Sequence, residues 1–154
     1  MNYVTDDTMN AYLRSVQPMY DGVLGEIQKE AIAAEVPIVP PEVARLLSVL
    51  LTMQKPKNIL EIGTAVAFSA GLMCRYLPEE GTVTTIDRYE VMLKDARVNI
   101  KRMGLEDKIK ILEGDAADIL QTLEGPYDVI FMDAAKGQYQ AFHDRYVEKL
   151  DKRI

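Results

Sequence analysis

Asn58-Ile-Leu-Glu-Ile-Gly-Thr-Ala-Val-Ala-Phe-Ser69 is the stretch whose reading decides the fold. Ile59, Leu60 and Ile62 make a short apolar strand that runs into Gly63, and small residues then lead into a helical pattern. A strand–glycine–helix unit places backbone N–H groups and a helix N-terminus at the carboxyl end of a strand, where open α/β sheets bind their ligands. Glu61 sits inside this unit. A carboxylate there repels phosphate, so the expected ligand presents a cation or hydroxyls rather than a pyrophosphate.

Downstream, short apolar strands alternate with helices, the pattern of a parallel sheet. The spacing predicts strands over 58–62, 82–87, 108–113 and 127–132, and helices over 68–77, 90–103, 116–123 and 137–150. Turn residues fall between them at Pro78 to Gly81, Gly104 and Gly125-Pro126. Upstream, residues 7–35 read as helix, with Tyr12, Leu13, Val16, Met19, Val23, Leu24, Ile27 and Ile32 at helical spacing and an interruption at Pro18. Val36-Pro-Ile-Val-Pro-Pro is a stiff connector, and Pro41 suits the first position of a helix over 42–53. The apolar face expected for that helix is Val43, Leu46, Leu47, Leu50 and Leu51. One domain is expected, a helical cap over 1–55 on a sheet-containing core over 56–154.

The chain of 154 residues is 48% hydrophobic and 27% charged, enough for one globular domain with a core. A net charge of −6 argues against a protein that coats nucleic acid or a membrane surface. The single cysteine, Cys74, excludes an internal disulfide framework. With no signal-peptide pattern and no apolar run of membrane-spanning length, a cytoplasmic location is expected.

Acidic residues stand at four successive strand ends: Glu61, Asp87, Asp115 and Asp133. Asp87 follows Gly63 by 24 residues, the place where a carboxylate commonly holds ribose hydroxyls. Asp115 has two readings, acceptor for an exocyclic amine or helix N-cap. A dinucleotide fingerprint needs three glycines; here Ala65 and Phe68 occupy the second and third places. A cofactor with an adenine, a ribose and a cationic amino-acid tail suits an acid-lined crevice better. S-adenosylmethionine has those parts.

With these residues assembled, Glu61-Ile-Gly-Thr followed by Phe68-Ser-Ala, together with Tyr127-Asp-Val-Ile-Phe-Met-Asp-Ala-Ala-Lys-Gly-Gln-Tyr139, resembles the metal-dependent class I O-methyltransferases, catechol and caffeoyl-CoA types included. Within that family the match looks nearest to bacterial tRNA 5-hydroxyuridine methyltransferases. The resemblance implies a Rossmann-like sheet. It also implies that Glu61, Gly63 and Ser69 line the methionine part of the cofactor, Asp87 takes the ribose, Asp115 and Ala116 flank the adenine, and Val39 closes over it. Asp133 would be the first ligand of a divalent cation, Mg²⁺ by expectation, and would also touch the cofactor; Lys136 would stand beside the substrate hydroxyl as base or electrostatic aid. Tyr139 is given a packing role.

Family members continue into a further strand ending in Asp-Asn that supplies two more metal ligands, whereas this sequence ends Asp151-Lys-Arg-Ile154. The expectation is therefore a form lacking the C-terminal strands. Its strand over 127–132 would offer an open apolar edge and invite pairing with another chain, a homodimer in the simplest case. The implied reaction is Mg²⁺-assisted methyl transfer to a hydroxyl, with 5-hydroxyuridine in tRNA as substrate. The alternatives are a small catechol or CoA-ester phenol, and a cofactor-binding fragment without catalysis.

Other residues take plainer readings. His143 is a surface residue and Cys74 a buried small one. Lys101, Arg102, Lys108 and Lys110 are either a tRNA-facing patch or a solvated helix end and strand start. The eight methionines are core filler.

Overall fold

The computed structural model describes residues 7–17 and 19–133. Lys136, Tyr139, His143 and the helix expected over 137–150 lie outside them. The chain runs α1 (Asp7–Val16), α2 (Gly22–Ala33), α3 (Pro41–Gln54), β1 (Asn58–Ile62), α4 (Phe68–Cys74), β2 (Thr82–Asp87), α5 (Glu90–Met103), β3 (Ile109–Glu113), α6 (Ala116–Thr122) and β4 (Val129–Met132). The four described strands are parallel in the order β3-β2-β1-β4, the Rossmann-like α/β sheet that the alternation predicts.

Strand alternation sets the layers. Ile59 and Val83 point to one face, where they meet Leu47 and Leu51 of α3, Met73 of α4 and Ala96 and Ile100 of α5. Leu60, Ile62 and Ile86 point to the other, against Leu120 of α6 and Tyr127. A third cluster joins Leu24 and Ile27 of α2 to Val39, Val66 and Phe68, and so fixes the N-terminal helices beside the glycine turn. Each such fully buried aliphatic side chain contributes about 1.5–3 kcal/mol.

The connections show why element ends differ from the pattern. Helix α4 stops at Cys74, three residues early, because Arg75, Tyr76 and Leu77 donate to the carbonyls three residues back and tighten the chain ahead of Pro78. Strand β4 starts at Val129 rather than residue 127. Asp128 instead turns its carboxylate to the N–H groups of Lys57 (2.7 Å) and Asn58 (2.8 Å), pinning the start of β1.

In α3, Leu47 and Leu51 of the expected face are buried, but they are joined by Ala44 and Ser48 rather than by the other expected residues. Val43, Leu46 and Leu50 face outward, Leu46 being 59% exposed. The helix carries apolar residues on two faces, and helical spacing alone does not say which face meets the sheet. The methionines also depart from expectation. Met73 is buried, but Met9, Met19 and Met53 are exposed, Met53 by 75%. Val129 and Phe131 of β4 pack toward one core and Ile130 and Met132 toward the other; among the described residues β4 pairs only with β1.

Candidate functional site

The carboxyl ends of the strands are held level. Ile62 stands opposite Ile86 and Met132, and Asp87 opposite Glu113. The residues just beyond are tied across the gap: Gly63 N–H donates to the Ile86 carbonyl, Gly114 N–H to that of Asp87 and Asp133 N–H to that of Ile62, each at 2.9 Å. Strand order reverses between β1 and β4, the position at which open α/β sheets form a ligand crevice.

A cavity of about 310 Å³ lies there. Its floor is Gly63, Thr64 and Ala65, with Asp87, Asp115 and Asp133 around it and Ser69 and Phe68 behind. Pro37, Ile38, Val39 and Pro40 of the connector form the opposite wall. The connector's prolines make this wall stiff, and Val39, anchored among Phe68 and Val66, holds it in place. The volume falls at the lower end of small-molecule sites.

Of the residues singled out in the sequence, Val39, Gly63, Ser69, Asp87, Asp115, Ala116 and Asp133 line this cavity. Glu61 does not. Alternation turns its side chain away from the ligand side toward α4, where it is fully buried, accepting hydrogen bonds from Ser69 Oγ and from Thr85 Oγ1 (2.6 Å). Thr64 Oγ1 and Thr85 Oγ1 share a further hydrogen bond at 2.7 Å. Burial pushes the Glu61 carboxyl up to about 7, against the lowering effect of the two hydroxyls and with the help of the Asp133 and Asp87 charges. Glu61 thus touches the cavity through Ser69, one layer behind its wall.

Asp115 takes the N-cap reading, and its second oxygen meets an arginine. Oδ1 accepts from Ala117 N–H (2.8 Å) and caps α6, while Oδ2 accepts from Arg88 (3.1 Å). Arg88 also donates to Tyr89 Oη at 3.1 Å, its guanidinium 5.2 Å from the ring centroid. Arg88 and Tyr89 line the cavity and were missed in the sequence; their place directly after Asp87 was the available signal. Asn99, also missed, reaches from α5 to donate to the Val66 carbonyl (3.0 Å) and steadies the glycine turn.

The turn itself is bent by Gly63 (φ 102°), Ala65 (φ 44°) and Ala67 (φ 63°). The last two are left-handed without being glycine, a conformation that needs support from its surroundings. Ala65 also stands at the position where a dinucleotide turn has its second glycine.

Outside the cavity the plainer readings meet their surroundings. Arg102 is committed to Glu26, Glu30 and Asn99, and Lys108 donates to the Pro78 carbonyl (3.0 Å). Two of the four cations of the supposed tRNA-facing patch therefore serve the fold. Cys74 is buried, and burial pushes its thiol up to about 12, which leaves it unreactive as a nucleophile. Among the described residues no helix is long and apolar enough to cross a membrane.

A divalent cation was the other expected occupant. Asp133 faces the cavity, but among the described residues no group of three metal-ligating side chains comes together. The described residues alone do not make a complete metal site.

A parallel sheet with a glycine turn and strand-end acids around one crevice defines a Rossmann-like ligand-binding fold. The chain belongs to the O-methyltransferase family, whose model matches residues 15–153. It is 32% identical to a catechol O-methyltransferase of Niastella koreensis over 92% of its length, which is 67% of that relative. A caffeoyl-CoA O-methyltransferase of Stellaria longipes is also 32% identical, with 70% of this chain and 47% of the relative aligned. Among solved structures, an O-methyltransferase from Bacillus cereus in complex with SAH superposes with a TM-score of 0.82 at 31% identity, covering 94% of this chain and 68% of the other. The SAH-bound Podospora anserina methyltransferase PaMTH1 gives 0.84 at 26%, covering 98% and 67%. The chain thus spans about half to two thirds of the length of the curated relatives named here.

Proposed function

We propose that this chain binds S-adenosylmethionine in the cavity at the strand ends, and that the protein it represents transfers the methyl group to a hydroxyl of a small catechol or phenol. The observation that carries the reading is the composition of the cavity: a glycine turn, three aspartates and an apolar connector wall, with Arg88 as the one cation among the described lining residues. Such a lining favours a sulfonium cation with ribose hydroxyls and disfavours phosphates. The SAH-bound relatives support the same cofactor.

In this reading Asp87 meets the ribose, Asp115 and Ala116 flank the adenine, and Gly63 and Ser69 face the methionine end, with Glu61 fixing Ser69 from behind. Val39 and its prolines hold water away from the sulfonium. The substrate hydroxyl loses its proton, with Lys136 as base or electrostatic aid. The resulting oxyanion attacks the methyl carbon in line, and the C–S pair returns to sulfur to leave neutral S-adenosylhomocysteine. A divalent cation, when bound, lowers the pKa of a hydroxyl. Asp133 is the described residue that would serve it.

The names of the relatives and the internal commitment of Arg102 and Lys108 favour a small substrate over tRNA. The test is S-adenosylhomocysteine production from S-adenosylmethionine with catechol, a caffeoyl-CoA ester or tRNA bearing 5-hydroxyuridine, with Mg²⁺ and with chelator. Turnover on catechol or the CoA ester, lost on chelation and insensitive to Mg²⁺ in Asp133→Ala, is expected. Turnover on tRNA alone would replace the substrate, and cofactor binding without any transfer would leave a binding chain. The absence of S-adenosylmethionine binding would overturn the reading. A cytoplasmic location and one domain over 1–154 remain part of the proposal. So does pairing of two chains across the β4 edge, which sedimentation as a monomer would contradict.

A further inference from the structure

The Asp87 carboxylate is engaged on all sides before any ligand arrives. Oδ2 accepts from the N–H groups of Thr64 and Ala65, both at 3.0 Å. Oδ1 accepts from those of Arg88 (2.7 Å) and Tyr89 (3.0 Å). A carboxylate has about four lone-pair sites, so these four donors fill it. Two of them belong to the turn that contains Gly63, Ala65 and Ala67, all at positive φ. Successive N–H groups beside a left-handed residue form a concavity that binds anions, the device with which other glycine turns hold phosphate. Here the protein's own side chain fills that concavity.

We propose that Asp87 is first of all a positioning residue: its carboxylate is the internal counter-anion of the glycine turn, joining residues 64–65 to 88–89 and holding the cavity floor in shape. Ribose hydroxyls then meet a carboxylate whose acceptor sites are already shared, and Asp87 acts on cofactor affinity mainly through the turn. The same contact accounts for the exclusion of phosphate, because the donors that would cradle it are taken. Nothing else among the described residues does this work from the β2 side; Glu61 and Thr85 support Ser69 and Thr64 from below through hydroxyls, not through backbone N–H groups. An aspartate that only grips ribose would have no reason to bond both loops at once.

This inference deepens the S-adenosylmethionine reading and rests on it for its binding arm, while its first arm uses no cofactor. Amide hydrogen exchange is measured at Thr64 and Ala65 in the ligand-free wild type and in Asp87→Asn, with far-UV circular dichroism as the check on folding. Exchange about tenfold faster or more in the variant is expected, because an amide that loses its acceptor opens locally. Calorimetry then compares S-adenosylhomocysteine with its 2′,3′-dideoxy analogue, which has no hydroxyls to offer Asp87. The variant is expected to lose about fivefold or more in affinity for the analogue too, about 1 kcal/mol or more. Unchanged exchange, or full affinity of Asp87→Asn for the analogue, would overturn the proposal and leave Asp87 a ribose ligand alone. If Asp87→Asn does not fold, the wild type decides. Protected Thr64 and Ala65 amides in the ligand-free chain, with the analogue binding within about tenfold of S-adenosylhomocysteine, support the proposal. Unprotected amides there overturn it. Failure of the wild type to bind S-adenosylhomocysteine with the exchange result intact would refute the cofactor, not the role of Asp87 in the turn.

Discussion

The two ends of the sheet use the same local chemistry for different purposes. At the amino end of β1, Asp128 takes the N–H groups of Lys57 and Asn58 with one oxygen and locks two adjacent strands together. At the carboxyl end, Asp87 takes the N–H groups of Thr64 and Ala65 with one oxygen and those of Arg88 and Tyr89 with the other. The first aspartate sits at a strand start away from the cavity, and the second lines it. A carboxylate clamp on consecutive amides is thus a general means of fixing chain geometry. It becomes functional only where the fixed chain is a bent turn with ligand space above it. The comparison also separates the contribution to stability, shared by both ends, from the contribution to binding, confined to one.

The substitution expected to act most strongly is Gly63→Val. A branched side chain at φ 102° is strained and would stand in the cavity floor, so affinity for S-adenosylhomocysteine should fall by about 100-fold or more by calorimetry. The pair Asp87→Asn and Asp128→Asn sharpens the contrast. Each should lower stability by about 1–2 kcal/mol in denaturant unfolding, but Asp128→Asn should leave cofactor affinity within about twofold. Equal binding losses in the two variants would erase the distinction between the ends.

Glu61→Gln tests the buried layer beneath the turn. The carboxyl ionises at about 7 in the folded chain against an ordinary value of 4.5, so the folded state favours its protonated form. The stability this provides is complete below pH 4.5 and is lost as pH rises through 7. Asp133 and Asp87 sharpen the effect from the cavity side. Glu61→Gln should therefore melt higher than wild type at pH 8, by up to roughly 3 kcal/mol, with the gap closing toward pH 4.5. A gap that grows on acidification would contradict the assignment. The smallest effect is expected for Ala67→Gly. Ala67 is left-handed and fully buried, so Ala67→Gly exchanges relief of strain for lost methyl burial and should stay within about 1 kcal/mol of wild type by thermal melt. Ala67→Val should cost about 2 kcal/mol or more at the same site.

Much of this contrast was legible in the residue pattern. Strands β1 and β2 and helix α5 have the bounds that alternation and helical spacing predict, because turn residues stand directly at their ends. The convergence of Asp87, Asp115 and Asp133 followed from parallel strands, which bring all carboxyl ends to one edge. On α3, Leu47 and Leu51 were legible, but the turn of the stripe toward Ala44 and Ser48 and away from Val43, Leu46 and Leu50 was not, since both faces are apolar and packing on α4 selects between them. Nor were the clamps of Asp87 and Asp128, because a side chain bonded to backbone N–H groups needs no partner residue of any type. Glu61 lies between these cases: its place at a strand end suggested ligand contact, while alternation along β1 sends it toward α4. Arg88 was hidden by the same logic that exposed Asp87, since attention to the strand-end acid passes over the residue that follows it.

The most direct test of the account is a calorimetric titration of S-adenosylhomocysteine into wild type, Gly63→Val and Asp128→Asn. The account predicts one saturable site in the wild type, lost in Gly63→Val and retained in Asp128→Asn. Absence of binding by the wild type, or binding that survives Gly63→Val and fails in Asp128→Asn, would contradict it.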